Sequence, residues 1–144
     1  MNLNAIFGSV KMDYGTPQKL FDDLDAEFMF TVDVAASPAN AKCERFYTEQ
    51  DDGLSKSWAG EVVFCNPPYG RELPKWVKKA KEESSNATIV MLIPARTDST
   101  YWHEYIFGGG AEVRFLRGRL SFEGSTNKAP FPSAVVIFRR KNEP

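Results

Sequence analysis

Asn66, Pro67, Pro68 and Tyr69 come directly after the apolar run Val62-Val63-Phe64-Cys65. Two consecutive prolines fix φ and remove two backbone donors. A buried strand ending here therefore presents the Asn66 side-chain amide and the Pro67 carbonyl rigidly at its tip. Two acceptors at one tip can take both hydrogens of an amino group. Tyr69 adds a flat ring, the shape that stacks on a planar base. The implied chemistry is capture and orientation of an amino group by Asn66, Pro67, Pro68 and Tyr69. Asn66 is neutral and cannot serve as a base, so its contribution is positioning and polarisation. The competing reading is a proline turn that merely closes a strand, and the strand context together with the adjacent aromatic favours chemistry.

The elements that must carry these residues alternate between two periodicities. Thr16-Pro17 reads as a helix start, with Thr as N-cap and Pro at the first helical position, followed by a helix over residues 18–26 with Leu20, Phe21 and Leu24 on one face. Residues 28–34 read as a buried strand reaching Asp33, residues 45–48 as a short strand and residues 61–65 as a clear one. A helix follows over 73–83 with Leu73, Trp76, Val77 and Ala80 inward, then an apolar strand over 88–93 that ends at Pro94. Residues 99–107 form a helix closed by the glycine run 108–110, and strands are expected at 111–116 and 133–138. No helix pattern lies between those last two, which predicts antiparallel pairing. Alternating strands and helices predict an α/β fold with a mostly parallel sheet and an antiparallel C-terminal strand. In such folds ligands gather at the carboxyl ends of the strands. Residues 33–37, 66–70 and 94–98 should therefore converge on one cleft.

Composition narrows the class. The chain has 144 residues, 42% hydrophobic and 26% charged, which fits one globular domain. The expected organisation is an arm over residues 1–14 and a single domain over 15–144 with no separate target-recognition domain. Residues 1–70 carry a net −6 and residues 71–144 a net +5, within a total of −1. This asymmetry is compatible with a basic surface over part of the fold, and equally with unevenly charged solvated faces. No apolar run is long enough to span a bilayer, and the first residues do not read as a signal peptide. The expectation is a cytoplasmic protein with no membrane contact. Cys43 and Cys65 have neither metal-ligand nor disulfide-framework spacing, and His103 is the chain's one histidine, so no metal is expected. Trp58, Trp76 and Trp102 read as core or helix-face residues.

The motif and its surroundings resemble the amino-methyltransferases, whose hallmark is Asp, Asn or Ser followed by Pro-Pro and an aromatic residue. Thr16-Pro17 before a helix looks like their motif X, Asp33 in Val32-Asp33-Val34-Ala35-Ala36-Ser37 like motif I, and Asp52 like the acidic residue of motif III. The order is that of their gamma arrangement. More specifically, the chain is similar to the phage-type DNA N-6-adenine methyltransferases (Dam). The shared stretches are Thr16 to Phe21, Asp33 to Ser37, Asn40 to Cys43, Asp52 to Leu54, Asn66 to Gly70, Ile93 to Asp98, Gly118 to Phe122 and Ala129 to Ser133. The first strand departs from the usual pattern, because Ala35-Ala36-Ser37-Pro38 replaces a glycine-rich loop.

The resemblance implies a single compact Rossmann-like methyltransferase domain that transfers a methyl group from S-adenosylmethionine to the amino group of adenine in double-stranded DNA. The base would be flipped out and held by Asn66, Pro67, Pro68 and Tyr69, with Phe131 or Phe122 over its other face. Thr16, Pro17, Asp33, Ala35 and Asp52 would contact the cofactor, and Glu44, Asp51 and Asp52 stay open as the acid that meets it. Arg71, Arg96, Arg117, Arg119 and Phe131 are the expected DNA contacts. No obligate protein partner is evident, and a phage-encoded protein would work in the host cytoplasm. The alternatives are RNA adenine or protein glutamine as substrate, or a non-catalytic nucleic-acid binding protein that kept the fold.

Overall fold

A computed structural model describes residues 14–142. The arm expected over residues 1–14 lies outside them, apart from Tyr14. Helix α1 (Gln18–Phe28) leads to strand β1 (Val32–Asp33). A single turn of 3₁₀ helix at Gly53–Ser55 precedes β2 (Val62–Cys65). Helix α2 (Leu73–Glu83), β3 (Thr88–Pro94), a π-helical segment Trp102–Phe107, β4 (Glu112–Phe115) and β5 (Ser133–Phe138) complete the order.

The five strands form one sheet in the order β1-β2-β3-β5-β4. β1 pairs parallel with β2, and β2 with β3. β5 runs antiparallel to both β3 and β4, so four strands point one way and β5 alone points back. This matches the mostly parallel sheet with an antiparallel C-terminal strand. The centre is β3 against β5, with Ile89 to Ile93 and Ala134 to Ile137 almost wholly buried. Strands covered on both faces have no polar side to alternate with, which is why 88–94 reads as a continuous apolar run. Helix α1 packs by its Phe21 ring, 5.0 Å from Phe64 and edge-on. Trp58, Trp76 and Trp102 are all buried, as expected.

The observed elements differ from the expected ones at four places. Helix α1 runs on through Phe28, and Met29 caps it in the left-handed conformation with φ 59°. The strand expected over 28–34 is thereby cut to Val32–Asp33. Thr16 makes no cap bond to α1, whose N-cap is Pro17; its hydroxyl is engaged elsewhere. Residues 45–47 form no full strand but line the outer edge of β1. Asp33 N donates to Arg45 O, Tyr47 N to Asp33 O and Ala36 N to Tyr47 O. That cover satisfies an edge that would otherwise be open to another chain. The helix expected over 99–107 is wound as a π-helix over most of its length, with Gly108 N bonded to His103 O and Ala111 N to Ile106 O.

Register places the functional loops at one edge of the sheet. Asp33 pairs with Phe64, Cys65 with Met91 and Pro94 with Ser133. The exits of β1, β2 and β3 therefore share an edge with the entry to β5. β4 also ends there, Phe115 opposite Ala134, so the long 116–132 connection rises over the same edge.

Gly53 is the tightest joint beneath this edge. A Cβ there would stand 2.2 Å from the Val34 carbonyl oxygen and 3.1 Å from the Trp76 ring. Only a residue without a side chain lets the 3₁₀ turn reach the β1 exit, where Trp58 Nε1 also donates to Gly53 O. Gly53→Ala should cost about 1–3 kcal/mol through overpacking, read as a lowered urea midpoint with an unchanged slope.

Candidate active site

Two hollows open at this edge. One is a cavity of about 730 Å³ bounded by the 34–38 loop after β1, residues 48–50 and 52–54, Asn66, Pro68, Glu72 and Trp76. The other is a narrow recess of about 10 Å³ whose walls include Tyr14, Thr16, Asp33, Ala35 and Asn66. Ala35 and Asn66 line both, so the two hollows meet at the tip of β2.

Asn66 is held by its amide nitrogen. Nδ2 donates to the Tyr14 carbonyl at 2.6 Å and to Thr16 Oγ1 at 2.9 Å. A backbone carbonyl can only accept, so the nitrogen must face it and the amide orientation is settled chemically. Oδ1 then points the other way, buried and without a hydrogen-bond partner. An unsatisfied buried acceptor costs about 1–3 kcal/mol and asks for a donor.

Asp33 has its carboxylate turned into the protein, with 3% of the residue exposed. Lys42 N donates to Oδ2 at 3.0 Å and Ala35 N to Oδ1 at 3.4 Å. Burial raises its pKa, and those two backbone donors oppose the rise. Asp33 thus ties the loop after β1 into a fixed shape and borders the recess, with Ala35 at the junction. Thr16 is buried beside it.

Of the three acids left open by the sequence, Asp52 alone lines the large cavity. Glu44 is exposed and does not border it. Asp51 is spent locally: Thr48 N and Thr48 Oγ1 both donate to its Oδ2, which holds its pKa below the usual carboxylate value. Asp52 adopts a left-handed backbone with φ 57°, a conformation that costs a non-glycine residue about 1 kcal/mol or more. Glu49, Leu54, Glu72 and Trp76 also border the cavity and were not singled out in the sequence. Trp76 read only as a core residue, and it is both core and cavity wall.

Tyr69 is buried, and its hydroxyl donates to Leu92 O at 3.0 Å. Burial pushes that hydroxyl's pKa well up, so it stays a donor. Its ring belongs to a box with Tyr14, Phe122 and Phe131. Ring centroids lie 5.2 Å apart for Tyr14–Tyr69, 4.9 Å for Tyr14–Phe122 and 5.6 Å for Tyr14–Phe131. Phe122 and Phe131, named from sequence as base-covering or DNA-contact residues, do stand around Tyr69. Tyr14 carries no sequence signal beyond being an aromatic two positions before Thr16-Pro17. Pro67 is buried and Pro68 half-buried.

Arg71, Arg96, Arg117 and Arg119 are all exposed, on the loops after β2, β3 and β4. The Arg96 guanidinium lies over the Phe131 ring, 5.9 Å from its centroid, at the rim of the aromatic box. Among the described residues no cluster of three or more His, Cys, Asp or Glu is placed to hold a metal, and no helix is long and apolar enough to cross a membrane.

Comparison with known proteins agrees with this architecture. A solved structure from Pyrococcus horikoshii, described provisionally as an RNA methyltransferase, superposes over 76% of this chain and 62% of its own, with a TM-score of 0.50 at 14% identity. It shares the fold. The DNA N-6-adenine-methyltransferase of Escherichia phage T1 is 33% identical over 135 residues, covering 81% of this chain and 56% of the phage protein. That of Haemophilus phage HP1 is 28% identical over 138 residues, covering 89% and 79%. The chain therefore spans little more than half the length of the first relative and about four-fifths of the second. The family model for DNA N-6-adenine-methyltransferase (Dam) matches residues 6–144, and the chain belongs to that family.

Proposed function

We propose that this chain transfers a methyl group from S-adenosylmethionine to the exocyclic amino group of adenine in double-stranded DNA. The observation that carries the reading is the buried, unpartnered Asn66 Oδ1 at the junction of the two hollows. An acceptor fixed by its own nitrogen suits a ligand that arrives with N–H groups.

The residues present fit the cofactor. The cavity, about 730 Å³, falls in the range of small-molecule sites, about 300–1,000 Å³. Trp76, Leu54 and Pro68 offer it apolar surface, while Asp52 and Glu49 offer carboxylates to ribose hydroxyls. Thr16, Asp33 and Ala35 border the adjoining recess; its room is that of about one water, so the methionine part would lie across its mouth, while Pro17 lines neither hollow and starts α1. When bound, S-adenosylmethionine supplies a sulfonium methyl open to a nitrogen lone pair.

The chain's own work is orientation. Asn66 Oδ1 and the Pro67 carbonyl accept the two amino hydrogens and so aim the lone pair along the transfer line. Pro68 keeps that backbone rigid. Tyr69, anchored through Leu92 O, presents a ring for the base to stack on. Neither Asn66 nor Tyr69 is a base at neutral pH, so the departing proton goes to solvent. Because the amino group is out of reach in the duplex, the base is flipped out. Arg71, Arg96, Arg117 and Arg119 grip phosphates around the opening, contacts that position without reading sequence.

The reading is tested by incubating the protein with methyl-labelled S-adenosylmethionine and unmethylated duplex DNA, then digesting the DNA to nucleosides. Label in N6-methyl-2′-deoxyadenosine is expected. Label that enters only RNA or protein, or none at all, contradicts it. Within the cofactor site, Asp52→Asn should weaken S-adenosylmethionine binding by about tenfold, the loss of one charge-assisted hydrogen bond. Asp51→Asn, with its carboxylate committed to Thr48, should leave affinity within about twofold. Equal effects of the two changes in a calorimetric titration would assign the ribose contact elsewhere.

A further inference from the structure

We propose that the Tyr14 ring occupies the place of the flipped base in the free protein, and that the incoming base displaces it. The inference rests on the function proposed above and adds a positioning residue to it.

Of the three rings around Tyr69, Tyr14 alone meets it at a low angle, 31°, with centroids 5.2 Å apart. Phe122 and Phe131 meet Tyr69 nearly at right angles, 78° and 77°. The face of Tyr69 that a base would stack on is therefore already covered by an aromatic ring. A base lying between two rings needs them about 7 Å apart, two contact distances of about 3.5 Å. The Tyr14–Tyr69 spacing is too small for that, so Tyr14 cannot be the second wall where it stands.

The second observation is the bond to Asn66. The Tyr14 carbonyl takes the Asn66 Nδ2 hydrogen at 2.6 Å, so the plug and the base-reading acceptor belong to one hydrogen-bonded unit. The third is exposure. Tyr69, Phe122 and Phe131 are 5%, 2% and 9% exposed, whereas Tyr14 is only half-buried. Tyr14 is the least buried of the four rings, and the other three also pack on one another. Its neighbour Gly15 accepts from Glu123 N at 2.9 Å, and Glu123 is paired with the largely enclosed Lys42. That latch returns the ring to the box once the base has gone. Filled by Tyr14, the box keeps its apolar faces from water while no DNA is bound.

Tyr14→Ala removes the ring and keeps the carbonyl that Asn66 needs. With unmethylated DNA and saturating S-adenosylmethionine, it should lower KM for DNA by about threefold to tenfold and leave kcat within about twofold, because the base no longer competes for the box. A raised KM or a reduced kcat would make Tyr14 a stacking wall and overturn the proposal. The intact chain gives a second readout through fluorotyrosine, with the Tyr14 fluorine signal assigned by its loss in Tyr14→Phe. Adding S-adenosylhomocysteine and a duplex carrying the methylated sequence should move that signal to the value of a solvent-exposed tyrosine. A signal that stays in place, or moves further from that value, overturns the proposal. Absence of methyl transfer to DNA by the unmodified protein removes the functional reading itself, and the plug with it.

Discussion

The side-chain amide of Asn66 is the constraint on which the site depends. Its nitrogen is committed to Tyr14 O and Thr16 Oγ1, which leaves its oxygen fixed, buried and unsatisfied. The arrangement joins three distant parts of the chain: the segment before α1, the tip of β2, and, through the box around Tyr14, the connection before β5. A neutral amide suits this task. In the proposed role it would accept from an amino group without carrying a charge into a buried position, where desolvating a carboxylate would be costly. Asp33 shows that cost nearby, its carboxyl pKa raised by burial despite two backbone donors.

The sheet supplies the rigidity that makes such a constraint meaningful. β2 is bonded on both sides, to β1 and β3, and Tyr69 is tied to β3 through Leu92. The cavity wall is held just as closely, because Gly53 lies against the Val34 carbonyl with no room for a Cβ. Cavity, recess and aromatic box therefore share a frame, and a ligand in one is registered against a ligand in the next.

Much of this was legible in the residues. The apolar runs of β2, β3 and β5 and the helical spacing of Leu73, Trp76, Val77 and Ala80 announced their elements, because burial on one or both faces leaves a direct periodic trace. Convergence of the loops at Asp33 and Asn66 followed from topology alone, whereas residues 94–98, expected in the same cleft, line neither hollow and reach the aromatic box through Arg96 over Phe131. What stayed hidden depends on contacts between segments far apart in sequence. Local spacing made Thr16 a helix cap, yet its hydroxyl serves Asn66, fifty positions away. Phe28 and Phe30 looked like strand residues, but the helix ends only at the left-handed Met29. Asp51 and Asp52 are indistinguishable as adjacent acids; one folds back onto Thr48 and the other faces the cavity. Tyr14 carried no local pattern, and its ring-to-ring packing exists only in three dimensions.

Asn66 lines both hollows, and its proposed task there is to orient the amino group rather than to hold the cofactor. The most direct measurement is single-turnover methyl transfer by Asn66→Ala beside its equilibrium affinity for S-adenosylmethionine. Transfer should fall by about 100-fold or more, the scale for removing one aligned polar contact to the reacting group, while the cofactor Kd changes by less than about tenfold. Turnover close to that of the unmodified protein, or a loss explained entirely by weaker cofactor binding, would contradict the account.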